Sequence, residues 1–442
     1  MIPFRVVSPR HGGNRFRALR ASALLQALGL ASMAVATLGC TRATTVVTRP
    51  LEPRQHRITL EALPAPGATA SARRSPKRLD LPDPLVLQAP AGFEVSVFAD
   101  DVPHARWLAL TPAGDVLVTS TRGDDILLLR DADRDGAAEH RHPFGGSRNG
   151  LNLPFGIAFH ESSVFIANTD GVLRFPYQPR QDKLAGRGEK IHDLPGEGYH
   201  QHWTRNVILS ADRQHLLVTV GSESNVDVEP APRASILVMR LDGSGSRVLA
   251  SGLRNPVGLA LHPQTRELYA TVNERDRLGD DLVPDYFTHI EEGAFYGWPY
   301  AYLSPAHLDP RRMREGHSEA PELARRTRTP DVLFESHSAA LGLTFYSGSA
   351  FPERYRRGAF VAFRGSWNRS QGTGYKVVFV PFNAQHRPEG VYEDFVTGFL
   401  ADPVKPSVWG RPVGLLELPD GSLLFTDDTN NRVYRVRYTG RG

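Results

Sequence analysis

The chain has 442 residues, with 40 Gly, 34 Pro and a charged fraction of 23%, a turn-rich globular composition that excludes coiled coil, collagen and bulk disorder. Its formal charge of +4 misleads, because residues 1–40 hold five Arg and no acid, and residues 41–85 hold eight basic and four acidic side chains. Residues 86–442 keep 39 Lys and Arg against 44 Asp and Glu, a net negative body for which no nucleic-acid partner is expected.

In chain order, residues 1–40 read as an export signal. An Arg-bearing stretch ending at Arg20 precedes a modestly apolar run over 21–39 that stops at Cys40. Cys40 is the single cysteine of the chain, so no disulfide is expected. Its place directly after Leu38-Gly39 resembles the lipobox of bacterial lipoproteins, with Thr37 departing from the usual aliphatic residue. The alternative is an ordinary signal peptide with a chance Cys. Either way the chain is exported, and the expected home is the periplasm, with a lipid on Cys40 as the contact with a membrane. No later apolar run is long and uncharged enough to suggest a spanning helix. Residues 41–85 carry seven Pro and no periodic apolar face, which predicts an extended, flexible tether. The folded domain is expected over 86–442.

Within that domain one pattern recurs. A short apolar hop is followed by a polar turn and a β-rich run, as in Trp107-Leu108-Ala109-Leu110 with 115–120. The same pair returns at 155–158 with 163–168, 206–209 with 215–220, 257–261 with 268–272, 341–344 with 359–362, and 413–416 with 422–426. Two paired strands at each of six places predict an all-β fold, a six-bladed β-propeller with four-stranded blades. In such a fold the residues flanking the hops converge on one mouth of a central channel, however far apart they lie in sequence.

The polar residues beside the hops are His202 before the third, Arg254 and Asn255 before the fourth, Glu274 to Asp281 after it, His337 before the fifth, Arg364 after it, and Trp409 and Arg411 before the sixth. Three Arg at one mouth suit an anionic, planar ligand, since guanidinium forks pair with carboxylates and stack on conjugated rings. The acid-rich loop over 274–281 suits a hard cation bridging that ligand. Bland readings stand beside these: His202 and His337 as packing histidines, and Arg254-Asn255-Pro256 as a turn with a surface Arg. Separately, Asp131, Asp133 and Asp135 alternate before Gly136 as in a calcium loop, but His142 stands at the twelfth position where a bidentate Glu belongs. That segment is either a second calcium site or a solvated hairpin turn.

Three segments then carry a family resemblance. Leu253-Arg254-Asn255-Pro256-Val257-Gly258-Leu259-Ala260, Asn273-Glu274-Arg275-Asp276 through Gly279-Asp280-Asp281, and Gly293-Ala294-Phe295-Tyr296-Gly297-Trp298-Pro299 resemble the glucose/sorbosone dehydrogenase family, quinoproteins that use pyrroloquinoline quinone (PQQ). Gly365-Ser366-Trp367-Asn368-Arg369 and Gly410-Arg411-Pro412-Val413-Gly414 are similar to the sorbosone dehydrogenase branch, and the likeness runs over roughly residues 90–438. The resemblance implies oxidation of a sugar or sugar-derived aldehyde, with hydride passing to the quinone and electrons leaving to a periplasmic acceptor. It implies His202 as base, and Arg254 and Asn255 as quinone-holding residues, with Arg254 also stabilising charge that develops on the cofactor. Arg364 stands for a family Lys, Arg411 is kept from a family Arg pair, and Trp409 occupies the other position, where it would stack on the ring. Calcium is implied on the backbone carbonyls of Asp276 and Arg277, although the family's Gly-Pro is absent there.

Two other classes remain open at this point. A calcium-dependent lactone or ester hydrolase would also place a metal in a propeller channel, with Asn152 and Asn225 as additional ligands beside Glu274 and Asp276. A non-catalytic binding propeller would not need three convergent Arg.

Overall fold

In the computed structural model, the described residues are 45–196 and 202–440. The export signal and Cys40 lie outside them. The described chain is all-β: its one α-helix is the five-residue Pro321–Arg325, and no described helix is long and apolar enough to cross a membrane.

Each of the six apolar pairs forms the first two strands of its own sheet. The innermost strands are Ala105–Leu110, Ile157–His160, Val207–Leu209, Asn255–Leu261, Ala340–Phe345 and Pro412–Glu417. Each opens an antiparallel sheet of four or five strands. Each innermost strand touches the innermost strand of the next sheet, and that of the sixth touches that of the first. The arrangement is of the propeller type. Its ends are joined across the sixth sheet, where Phe93–Ala99, from the beginning of the domain, pairs with Arg432–Tyr438 from its end.

The core follows from the alternation of the strands. Six apolar clusters each straddle two neighbouring sheets, for example Leu117 and Ile126 of the first against Ile157 and Val164 of the second, and Tyr269 and Phe287 of the fourth against Leu343 and Val361 of the fifth. A seventh gathers Trp107, Phe155, Trp203, Val257, Leu341 and Val413 from the inner ends of the sheets. The ring closes tightly enough to demand glycine. A Cβ on Gly342 would lie 2.2 Å from the carbonyl of Val413, and one on Gly414 would lie 2.3 Å from that of Arg106. Threonines of the second strands knit the same places: Thr271 Oγ1 accepts the Gly258 N–H at 2.9 Å and donates to the Leu341 carbonyl of the next sheet at 2.8 Å.

The expected tether does not hold for its described part. Val46–Leu51 pairs in parallel with Leu85–Pro90, Gln55–His56 adds a fifth strand to the outer edge of the fifth sheet, and Lys77–Arg78 pairs with Ser407–Val408. Outer strands expose unpaired backbone groups. A Pro-rich segment poor in apolar side chains can still satisfy those groups through its own backbone, which composition does not reveal.

Candidate active site

In an antiparallel pair, the start of the first strand and the end of the second lie at the same end. Arg254, Arg411 and His337 precede innermost strands, while Ser222, Glu274, Arg364 and Asp428 follow second strands. In the first, fourth, fifth and sixth sheets the pairing slips by a bulge near the start of the innermost strand, the device that re-aims a side chain out of the ladder. The result is a cavity of about 600 Å³ whose lining includes His202, Arg254, Asn255, Asp276 and Arg364, within the size range of small-molecule sites. A narrow recess lined by Arg411 and Asp428 shares Arg106, Trp203 and Arg364 with it.

His202 is held by the loop that follows the second strand of the third sheet. Its Nδ1 lies 2.9 Å from both the carbonyl and the hydroxyl oxygen of Ser222. The Ser222 hydroxyl donates to the Ser224 carbonyl at 2.7 Å, so both Ser222 oxygens act as acceptors and the proton sits on Nδ1. The Nε2 lone pair is then the basic one. Burial, reinforced by the charge of Arg254, pushes the His202 pKa well below the ordinary imidazole value, keeping the ring neutral. Asn255 Oδ1 is a buried acceptor with no partner among the described residues.

Arg254 is more constrained than a free fork. Nε and Nη2 donate to the Asn225 carbonyl and side chain at 3.2 and 2.9 Å, Nη2 also to Asp276 Oδ2 at 3.0 Å, and Nη1 to the Glu274 carbonyl at 2.6 Å. Four of its five N–H donors are thus engaged, leaving one on Nη1. Asn368 donates to Asp276 Oδ1 at 2.6 Å and to His337 Nδ1 at 3.1 Å, and His337 Nε2 donates to the Gly279 carbonyl at 3.1 Å. With both ring nitrogens engaged, His337 is part of this network and not a substrate base. Asp285, also on the cavity, accepts the N–H groups of Glu274 and Ala339 and is pushed up to about 7 by burial.

The third cluster was not legible in full. Asp428 draws together Arg106, Arg364 and Arg411 at 2.6, 2.7 and 3.3 Å. Burial alone would raise its pKa, but Arg364, Arg411 and Arg106 hold it well below the carboxylate range. Burial, with Arg364 nearby, lowers Arg411 to about 10, so it stays charged at neutral pH. Asp428 follows the second strand of its sheet, as Glu274 and Arg364 do in theirs, and that position was the signal available for it. Trp367, 44% exposed and on the cavity lining, likewise received no role.

Two expectations need correction. Trp409 does not line the cavity; it packs against the core cluster containing Phe399 and Phe425, because an apolar gap behind the strand accepts its ring. The Asp276 carbonyl accepts from Asn225 Nδ2 at 3.0 Å and from Arg311 Nη1 at 2.8 Å, while Arg277 is exposed with a left-handed φ of 73° and is not on the cavity lining. The Asp276 carbonyl is therefore not the open donor expected of it, while Glu274 Oε1, on a residue of the cavity lining, is buried with no partner among the described residues. The oxygens of Asp131, Asp133 and Asp135 do gather, with Glu139, within 4.8 Å of one another. One oxygen of each accepts a backbone N–H, of Ala132, Asp135, Gly136 and Ala137, as a turn requires, while Asp131 Oδ1 has no partner among the described residues; both readings of this segment stand, and it does not line the cavity. Of the donors the hydrolase reading needs, Asn225 Oδ1 already accepts from Arg254 and from the Asp276 N–H.

The TrAA12-like family model matches residues 87–291 and 313–439. An uncharacterized protein of Borreliella burgdorferi is 28% identical over 364 residues, covering 80% of this chain and 91% of that protein. The pyrroloquinoline quinone-dependent pyranose dehydrogenase of Coprinopsis cinerea is 26% identical over 352 residues, covering 64% of this chain and 46% of its own length, so the chain spans about half of that relative. Among solved structures, a Trichoderma reesei enzyme of carbohydrate-active family AA12 superposes with a TM-score of 0.67 at 18% identity, over 87% of this chain and 100% of that one. The PQQ domain of the Coprinopsis cinerea pyranose dehydrogenase, in its holo form, gives 0.65 at 21% identity, over 83% of this chain and 100% of that one. At those identities the superpositions speak for the fold.

Proposed function

The chain belongs to the TrAA12-like family, and from that premise we propose that it is a PQQ-dependent dehydrogenase of sugars or sugar-derived aldehydes, built as a six-bladed propeller whose blades are the six sheets. The observation that carries the reading is the fixed tautomer of His202, a neutral imidazole on a residue that lines a ligand-sized cavity.

The lining fits a quinone carrying carboxylates. Asn255 Oδ1 offers an unpartnered acceptor, Arg254 keeps one N–H, and Arg364 and Arg411 bring charge to the same end of the ring. When bound, the quinone would supply the two-electron oxidant for a hydride leaving the substrate carbon. His202 Nε2 takes the proton of the substrate hydroxyl, and Ser222 stabilises the resulting imidazolium through Nδ1. Arg254 is held rigid by Asn225 and Asp276, so its charge is in place before reaction begins. No step is assigned to calcium; the buried, unpartnered Glu274 Oε1 is the oxygen this lining would offer a cation. The electrons leave to a periplasmic acceptor.

Titrating PQQ into the protein and following absorption tests the assignment. Saturable binding, followed by bleaching of the oxidised spectrum on addition of a sugar or aldehyde, is expected. A parent protein that binds no PQQ and hydrolyses lactones instead sinks it. Export and a lipid on Cys40 belong to the same reading. Cys40→Ser should leave the membrane fraction, and unchanged fractionation would exclude the anchor.

A further inference from the structure

The Pro-rich segment ahead of the sheets does more than pair with their outer edges. Residues 67–79 run along the loops that carry Asp276 and Trp367 on the cavity lining. Gly67 donates its N–H to the Leu278 carbonyl at 2.8 Å, Thr69 Oγ1 accepts the Asp280 N–H at 2.8 Å, and Arg74 donates its N–H to the Trp367 carbonyl at 2.7 Å. The Arg74 side chain then reaches the Ser370 and Val404 carbonyls, each at 3.3 Å. Lys77–Arg78 pairs in parallel with Ser407–Val408, just ahead of Arg411. These bonds make the segment a strap, and the strap delivers Arg78 to the narrow recess beside the cavity.

That recess is far from neutral. Arg78, Arg106, Arg122, Arg364 and Arg411 line it, and Asp428 is the one acid among the described residues that do. Its carboxylate already serves Arg106, Arg364 and Arg411, so five guanidinium groups share a lining with a single negative charge. Arg411 registers the crowding: burial, then Arg364, Arg78 and Arg106, lower its pKa to about 10. Residues 86–442 have the opposite sign overall, with 39 Lys and Arg against 44 Asp and Glu, so the recess concentrates a positive field on a body that otherwise repels anions. The quinone reading draws on Arg254, Arg364 and Arg411, and leaves Arg78, Arg106 and Arg122 without a role. Trp203, next in the chain to His202, lines both the recess and the cavity, and the Arg106 guanidinium lies 5.3 Å from its ring centroid. The surplus charge therefore adjoins the residue that follows the base, on the side where substrate is handled.

Resting on the dehydrogenase reading, we infer that the substrate carries an anionic substituent, a carboxylate or a phosphate, which Arg78, Arg106 and Arg122 hold at this recess while a hydroxyl of the same molecule meets His202. A hexuronate or a sugar phosphate has that chemistry, and guanidinium forks match either group. Arg78 is then a specificity-determining residue supplied by the strap.

The test assays the PQQ-loaded protein, with a dye as electron acceptor, on matched pairs: glucuronate against glucose, galacturonate against galactose, and glucose 6-phosphate against glucose. In at least one pair kcat/KM for the anion should exceed that for the neutral sugar by about tenfold or more, chiefly through KM, and which pair does so tells carboxylate from phosphate. The preference should shrink as salt is raised, since screening acts on the charged member alone. Arg78 and Arg122 are exposed, so Arg78→Ala and Arg122→Ala should each lower the preference by only about two- to fivefold, and Arg78→Lys should retain most of it. PQQ titrations of these variants, followed by absorption, should match the parent, and their melting curves report that the fold is intact. Neutral sugars oxidised as well as every anionic partner overturn the inference, and so do variants that lose PQQ affinity in place of anion preference; both outcomes leave the dehydrogenase reading standing. Absence of PQQ-dependent oxidation of any sugar overturns that reading, and the inference with it.

Discussion

The two walls of the cavity are built on opposite plans. On one, His202 is oriented from behind by Ser222, which sets the basic lone pair on Nε2, and the buried Oδ1 of Asn255 has no partner among the described residues. On the other, Arg254, Asp276, Asn368 and His337 spend nearly all of their hydrogen-bonding capacity on one another. A proton acceptor needs a defined tautomer, which Ser222 gives His202 on the first wall. A preorganised electrostatic surface needs groups that do not reorient, which the second supplies. The division separates the reacting group from the scaffold that fixes the field around it.

Removing the reacting group should have the largest effect. His202→Ala is expected to lower turnover by about two to four orders of magnitude, the usual worth of a positioned base, while PQQ binding measured by absorption persists. Because burial depresses the imidazole pKa, kcat/KM of the parent should stay level through neutrality. It should fall only on the acid side of the ordinary histidine value of about 6.5. A variant that keeps near-normal turnover places the base elsewhere.

Next comes the third cluster, which resembles the second wall in being self-paired but binds three cations to one acid. Asp428→Ala leaves Arg106, Arg364 and Arg411 facing one another in a buried site, and should cost about 3–5 kcal/mol in denaturant unfolding, as breaking a buried pair does. The sign with pH follows from the depressed Asp428 pKa. Its contribution is present above the unfolded carboxylate value of about 3.9 and is lost as pH falls toward the folded value. The parent should therefore lose more stability on acidification than the variant. Parallel acid slopes in the two proteins would contradict the pairing.

What was legible in the sequence maps onto the same contrast. The six strand pairs and the first wall lie within short motifs: alternation marks the strands, and His202 and Asn255 sit beside the hops that bring them to the mouth. The second wall is paired over long distances. Asn225 meets Asp276 across 51 residues, and Arg311 meets it across 35, separations at which spacing carries no information. So the acids of the loop over 274–281 were visible in the sequence and the partners of Asp276 were not. Trp409 failed for a related reason, as an aromatic beside a hop can turn outward into a neighbouring core. The strands within 45–85 were hidden because they attach by backbone bonds that any sequence without consecutive prolines can make.

Weakening the second wall without removing its charge should cost less than either deletion. Arg254→Lys keeps a cation but loses the fork on Asn225 and Asp276. PQQ affinity should fall by about 1–3 kcal/mol, with turnover of the saturated variant less affected than binding. Equal affinity in parent and variant would mean that the wall does not need to be rigid.

The smallest expected effect lies at the rim, where neither plan applies. Trp367 follows Arg364 by three residues, beyond the second strand of the fifth sheet, and its ring is 44% exposed while forming part of the cavity lining. Its carbonyl accepts the Arg74 N–H at 2.7 Å, and the Arg73 guanidinium lies 6.0 Å from the ring centroid, so the early segment of the chain supports the indole from one side. A large apolar face left open beside a polar cavity suits the C–H face of a sugar ring, whose hydroxyls point outward around its edge. Stacking of that kind contributes about 0.5–1.5 kcal/mol beyond area burial, and it acts on ground state and transition state alike. Trp367→Ala should accordingly raise KM by about three- to tenfold with kcat unchanged, the signature of lost uniform binding. Arg73→Ala should shift KM in the same direction by less. A fall in kcat at constant KM would instead place Trp367 among the groups that act on the reacting atoms, and would move the boundary between binding and chemistry from the first wall out to the rim.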